Sequence, residues 1–164
     1  MTIANQMLAE LQQEGTTTRK MLALVPFDKK DWKPHEKSMA LGSLSRHVAE
    51  IYGWPKETVL DDELDFAKMD GKPVEINSNE ELLALFDRCI AKAKEVLGKT
   101  PDEGMSKPWT MRQGEMIFFT MPKSQVMRTW VLNHSVHHRA QLGVYLRLLD
   151  IPIPGSYGPS ADES

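Results

Sequence analysis

Asn133-His134-Ser135-Val136-His137-His138-Arg139-Ala140-Gln141 holds three of the chain's five histidines and lies inside a long stretch of helical periodicity. On a helix, positions four apart lie roughly 40° apart, so His134 and His138 aim both imidazoles at one point. On the same wheel Met127, Trp130, Val131, Gln141, Leu142, Tyr145, Leu148 and Leu149 gather within roughly 80° of His134, which makes this the core-facing stripe. Inward imidazoles need partners, because burying their ring nitrogens unsatisfied costs a few kcal/mol each. A metal ion and a buried hydrogen-bond network are the two ways to satisfy them.

A third inward histidine comes from Leu41-Gly42-Ser43-Leu44-Ser45-Arg46-His47-Val48-Ala49-Glu50-Ile51. On a helix, Leu44, Val48, Ile51 and Trp54 surround His47, which completes a set of three nitrogens from two helices. Three protein ligands with the remaining positions open describe a catalytic rather than a structural metal site. Nitrogen-only ligation suits Zn, Ni, Fe or Cu, and disfavours Ca and Mg, which take oxygen. His137 lies about 60° from His134 on the side away from His138, so one ion does not take all three from this helix, although His137 could replace His138. His35 follows Lys33-Pro34 in a polar connector and is expected in solvent. Glu50 is the nearest carboxylate in sequence, and Gln141 lies one turn beyond His138. These two are the candidates for acid, base or orienting roles, with a surface salt bridge the simpler use of Glu50.

Taken together, His47 in its Leu-x-x-His-x-x-Glu-like helix, the His-x-x-x-His-Arg-Ala-Gln of residues 134–141 and the tail Pro154-Gly155-Ser156-Tyr157-Gly158-Pro159-Ser160-Ala161-Asp162-Glu163 resemble the DinB-like family of metal-dependent proteins over the whole chain. The resemblance implies an up-and-down four-helix bundle, usually dimeric, with metal ligands at His47, His134 and His138. It further implies kinship with thiol-dependent S-transferases and isomerases that use low-molecular-weight thiols such as bacillithiol or mycothiol. Ala40 stands where many members carry Thr or Ser, and Ala140 where Gly is frequent.

The periodicity is consistent with that fold. Four segments read as helices: about Met1 to Val25, ended by Pro26 and with room for a bend at Gly15 and Thr16-Thr17-Thr18; about Leu41 to Leu60, with a kink at Pro55; Ser78 to about Lys99, opened by the Ser78–Glu81 capping box; and Pro122-Lys123 to near Asp150. The fold class expected is all-α, a four-helix bundle with long connecting loops. Asp65 to Asn77, with Gly71-Lys72-Pro73, reads as a loop, and Pro108 to Thr120 as a short hairpin or extended flap before the last helix. Leu132, Val136, Ala140, Gly143 and Leu146 make a second apolar face on the last helix, covered by a second copy in a homodimer or by the chain's own loops.

Composition narrows the rest. The chain has 164 residues, the length of one domain spanning 1–164. A net charge of −3 with no Lys/Arg run argues against nucleic acid and anionic membrane surfaces as partners. The single cysteine, Cys89, excludes an internal disulfide, fits a reducing cytoplasm and reads as a packing thiol. There is no signal-like start and no span of ~20 apolar residues. The function expected is activation of a thiol or water by a divalent ion (Zn, Ni or Fe), in a thiol S-transferase or hydrolase acting on a small molecule. The alternative is a stress-related metal- or ligand-binding protein without turnover.

Overall fold

Thr2 accepts the Asn5 N–H with its hydroxyl and starts helix α1, Ile3–Leu22. The computed structural model describes residues 1–69, 71 and 74–163. α1 runs unbroken through Gly15, whose role is close approach: a Cβ there would meet Ile90 Cδ1 at 2.6 Å and Tyr52 Cε1 at 3.3 Å. The helix predicted over Leu41–Leu60 is two, α2 (Leu41–Ile51) and α3 (Trp54–Leu60). The break falls at Tyr52-Gly53, before Trp54. Pro55 then sits in the first turn of α3, where its missing N–H has no helical acceptor in any case.

Helix α4, Asn79–Leu97, begins as its sequence predicts, with Ser78 Oγ accepting the Glu81 N–H at 3.1 Å. The return bond is shifted by one residue, since Glu81 accepts the N–H of Asn77 at 2.8 Å. Asn79 donates its side-chain amide to the carbonyls of Leu22 (2.8 Å) and Val25 (3.3 Å), fastening the end of α1 to the start of α4.

After the short α5 (Asp102–Ser106) comes a three-stranded sheet that departs from the all-α expectation. Strands β2 (Pro108–Gln113) and β3 (Met116–Pro122) form the predicted hairpin, turning at Gly114 with φ 59°. The unpredicted strand is β1, Glu63–Asp65, which lies parallel to β2. Three residues carry too little alternation to register as a strand, and only pairing reveals it. The Asp65 carboxylate accepts N–H bonds from Ala67 (3.0 Å) and Gly114 (2.9 Å), tying this segment to the hairpin turn. Of the loop predicted over Asp65–Asn77, Asp70, Lys72 and Pro73 lie outside the described residues.

The last helical segment comprises α6 (Lys123–Val126), a wide π-helical turn (Met127–Asn133) and α7 (His134–Leu148). The Lys123 side chain is buried, and its ammonium donates to the Val59 (2.9 Å) and Asp61 (2.7 Å) carbonyls while pairing with Asp62 at 3.0 Å. It thereby binds the C-terminal end of α3 to the start of α6. α7 closes with Asp150 at φ 57° and the Ile151 N–H on the Leu146 carbonyl at 3.0 Å.

The four longest helices, α1, α2, α4 and α7, pack around one core that includes Leu11, Leu22, Leu44, Ile51, Leu82, Phe86, Leu97, Met127 and Leu142. Each such side chain contributes about 1.5–3 kcal/mol by leaving water. The second apolar face of α7 is in part covered by the chain itself. Leu132, Gly143 and Leu146 are buried within the single chain, and Gly143 touches Met21 of α1 and Ile153 of the tail. Ala140 is exposed and Val136 half-buried. The tail folds back on α7, pinned by Asp162 on Arg147 and on the Ile153 N–H and by Glu163 on the Gly155 and Ser160 N–H groups.

The same face holds a buried ion pair. Arg139, 2% exposed, pairs with Glu14 at 2.6 Å and donates to the Glu14 carbonyl and Thr18 Oγ1. Tyr157 from the tail bridges the pair, accepting from Arg139 and donating to Glu14, both at 2.9 Å.

Candidate metal centre

α2 brings in His47, and the first turns of α7 bring in His134 and His138, all three half-buried. Their Nε2 atoms converge: His138 to His134 is 2.7 Å and His47 to His134 is 3.3 Å. Among the described residues, this is the group of three His, Cys, Asp or Glu side chains whose ligand atoms come within 4.8 Å of one another.

The outer nitrogens explain the aim. His134 Nδ1 lies 3.2 Å from the Trp130 carbonyl oxygen, which can only accept, so the proton sits on Nδ1. His138 Nδ1 lies 2.6 Å from Gln141 Oε1 and donates to it in the same way. Both Nε2 atoms are then left with lone pairs that face each other at 2.7 Å, which is repulsive unless a cation or a proton lies between them. A tetrahedral ion with bonds of ~2.0–2.1 Å spaces its nitrogens about 3.3 Å apart, which the His47–His134 pair matches at 3.3 Å and the His134–His138 pair, at 2.7 Å, falls short of, so the all-nitrogen donor set suits a transition-metal ion once that closer pair opens.

Burial reinforces the effect. Desolvation, followed by the neighbouring His138, His134 and Arg46, lowers the His47 pKa to about 4. His134 and His138 are also lowered, in each case chiefly by burial. The imidazoles therefore stay neutral, the form that coordinates, across the physiological range.

Aromatic side chains wall the site. The Trp54 ring lies 5.5 Å from that of His47 and 5.2 Å from that of His134, and Trp130 meets His134 edge-on at 6.1 Å. Phe119 of β3 stacks on Trp130 with planes 9° apart, so the hairpin reaches the site through this ring. Sequence periodicity pointed to Trp54 and Trp130; the Phe119 contact depends on how the hairpin folds over α6 and leaves no local signal.

A model of the DinB family matches residues 1–164. The chain belongs to the DinB family. Two solved DinB-like proteins share its fold: one from Bacillus subtilis with a TM-score of 0.72 at 16% identity, covering 92% of this chain and 97% of that one; and one from Bacillus cereus ATCC 10987 with a TM-score of 0.67 at 20% identity, covering 92% and 95%. No curated protein matches.

Around this DinB centre the other candidates fall as follows. His137 is exposed, its ring 4.8 Å from that of His138 but its nitrogens outside the converging group. His35 is exposed and accepts the Lys37 N–H. Glu50 forms a half-buried pair with Arg46 at 3.5 Å rather than the surface pair expected, and burial raises its pKa. Cys89 packs beside Gly53, and burial followed by the charge of Glu50 raises its pKa, which makes it a poor nucleophile. Among the described residues no helix is long and apolar enough to cross a membrane.

Proposed function

We propose that His47, His134 and His138 hold a divalent transition ion, Zn, Ni or Fe, and that the protein is a metal-dependent enzyme activating a thiol or water against a small-molecule electrophile. The observation that carries this reading is the convergence of three Nε2 atoms, two of them with lone pairs turned on each other by outer acceptors. Bound there, such an ion supplies Lewis acidity that lowers the pKa of a thiol or water entering its open positions.

The chain's own residues do the rest. The Trp130 carbonyl and Gln141 orient the two α7 imidazoles. Trp54 and Trp130 lie against the imidazoles, with Phe119 stacked behind Trp130, and limit water at the site. In the thiol reaction, by which a low-molecular-weight thiol serves as co-substrate, sulfur bonds to the electrophilic carbon, the leaving group departs with its electron pair, and the thiol proton passes to solvent. Glu50 faces Arg46 at 3.5 Å without a hydrogen bond between them, and the guanidinium charge works against its use as a base. That engagement favours the second reading, a stress-related metal- or ligand-binding protein without turnover.

The same proposal treats residues 1–164 as one domain, its four long helices as an up-and-down bundle, its working state as a homodimer and its location as the cytoplasm. The test is metal analysis of untagged protein, followed by a panel of thiols against generic electrophiles. His47→Ala, His134→Ala and His138→Ala should each remove most of the metal, whereas His137→Ala and His35→Ala should leave it. Loss in His137→Ala with His138→Ala silent overturns the ligand assignment. Metal-loaded protein inert toward every thiol and hydrolytic substrate leaves the second reading standing.

A further inference from the structure

The wide turn ahead of His134 has no local cause in its sequence. Met127-Arg128-Thr129-Trp130-Val131-Leu132-Asn133 contains neither proline nor glycine, the usual sources of a disrupted helix. π-helical turns are rare, and they concentrate at functional sites. Where the wide turn meets the first residue of α7, the backbone bonding changes. In a regular α-helix the His134 N–H would reach back four residues to the Trp130 carbonyl. In this chain it runs three residues back, to the Val131 carbonyl, so the wide turn closes on a tighter one at His134. The Trp130 carbonyl is thereby relieved of the His134 amide, and the His134 imidazole takes it at 3.2 Å.

We propose that this π-helical turn is a positioning device for His134: by redirecting the backbone bond it makes the Trp130 carbonyl an acceptor for Nδ1–H, which fixes Nε2 as the atom presented to His47 and His138. The positioning element is a main-chain oxygen, so the side chain at residue 130 is not required for it. Gln141 does the corresponding work for His138 from three residues downstream, so the two histidines of one helix are oriented from opposite directions along the chain. The inference rests on the metal reading above for its purpose, though not for its geometry.

The experiment follows the imidazole nitrogens of histidine-labelled full-length protein by nitrogen–proton correlation spectroscopy, metal-free and zinc-loaded, at about pH 8, where free imidazole is neutral. The expected result is a His134 that carries its proton on Nδ1 in both states, retained in Trp130→Ala because the carbonyl remains. Deletion of the exposed Thr129 removes the extra residue and restores α-helical register into α7. The shortened chain should lose the Nδ1–H preference at His134 and bind zinc at least about tenfold more weakly, the usual penalty for losing an outer partner. A wild-type His134 with Nδ1 unprotonated overturns the proposal. So does a folded deletion variant with unchanged tautomer and zinc affinity. If the shortened chain does not fold, the wild-type tautomer decides alone. If the wild type takes up no zinc, the proposed function fails, and the metal-free tautomer still judges the positioning device.

Discussion

Replacing Gln141 tests whether the site is built for an ion. The Gln141 amide oxygen lies 2.6 Å from His138 Nδ1, a short contact, and is the outer partner that turns His138 Nε2 toward His134. Losing such a partner typically costs 10–100-fold in metal affinity, or ~1.4–2.7 kcal/mol. Both side chains are half-buried, so water can occupy part of the vacated place, and the expected loss lies at the lower end, about tenfold. Gln141→Leu keeps the volume and removes the acceptor; Gln141→Glu keeps an acceptor and adds charge, and should bind zinc at least as tightly as the wild type. Competition against a chromophoric chelator at fixed pH measures the affinities, with circular dichroism confirming the fold. The reasoning is refuted if Gln141→Leu binds within about twofold of the wild type while His138→Ala loses the ion, because the hydrogen bond would then contribute nothing to ligand aim.

Three further outcomes follow from the geometry. The lowered pKa of His47, to about 4, together with the lowered values of His134 and His138, means that the unfolded chain binds more protons than the folded one below the ordinary value of 6.5. Stability of the metal-free protein should therefore be complete above about pH 6.5 and fall as pH drops toward 4, with metal release in the same window. Denaturation against pH checks the first, and occupancy that stays constant to about pH 4 would indicate carboxylate or thiolate ligands instead. Glu14→Gln should strand the buried Arg139 charge and cost about 3 kcal/mol, a fall in Tm of roughly 6–12 °C, whereas pairing Arg139→Met with Glu14→Leu should recover most of it; additive losses in thermal unfolding would contradict the pairing argument. On the outer side of α7, Ala140, Val144 and Leu148, the last of them expected on the core-facing stripe, are exposed at helical spacing, with Val144 58% and Leu148 57% accessible. Val144→Glu should convert a dimer to monomers in sedimentation at micromolar concentration with the fold intact, and a wild type already monomeric refutes the homodimer.

The sequence by itself located the long helices and the histidines, because both depend on short-range periodicity. Ser78 and Glu81 mark the start of α4, Pro26 follows the end of α1, and four-residue spacing puts His134 and His138 on one face whatever surrounds them. What periodicity could not resolve were the positions where a distant contact outweighs local preference. Nothing local to Arg139 announces its burial, which depends on partners supplied by Glu14 from α1 and Tyr157 from the tail. Gly143 and Leu146 read as a face covered by a second copy or by the chain's own loops, and only the folded chain shows that Met21 and Ile153 flank Gly143 and that Leu146 is buried within the chain. β1 is a strand only because β2 lies beside it, and the break at Tyr52-Gly53 falls ahead of the proline that suggested a kink. The wide turn ahead of His134 belongs to the same class. It adds one residue to a turn without any proline or glycine to announce it, and its effect, a carbonyl turned over to an imidazole, arises from hydrogen-bond partners that only the folded chain assigns.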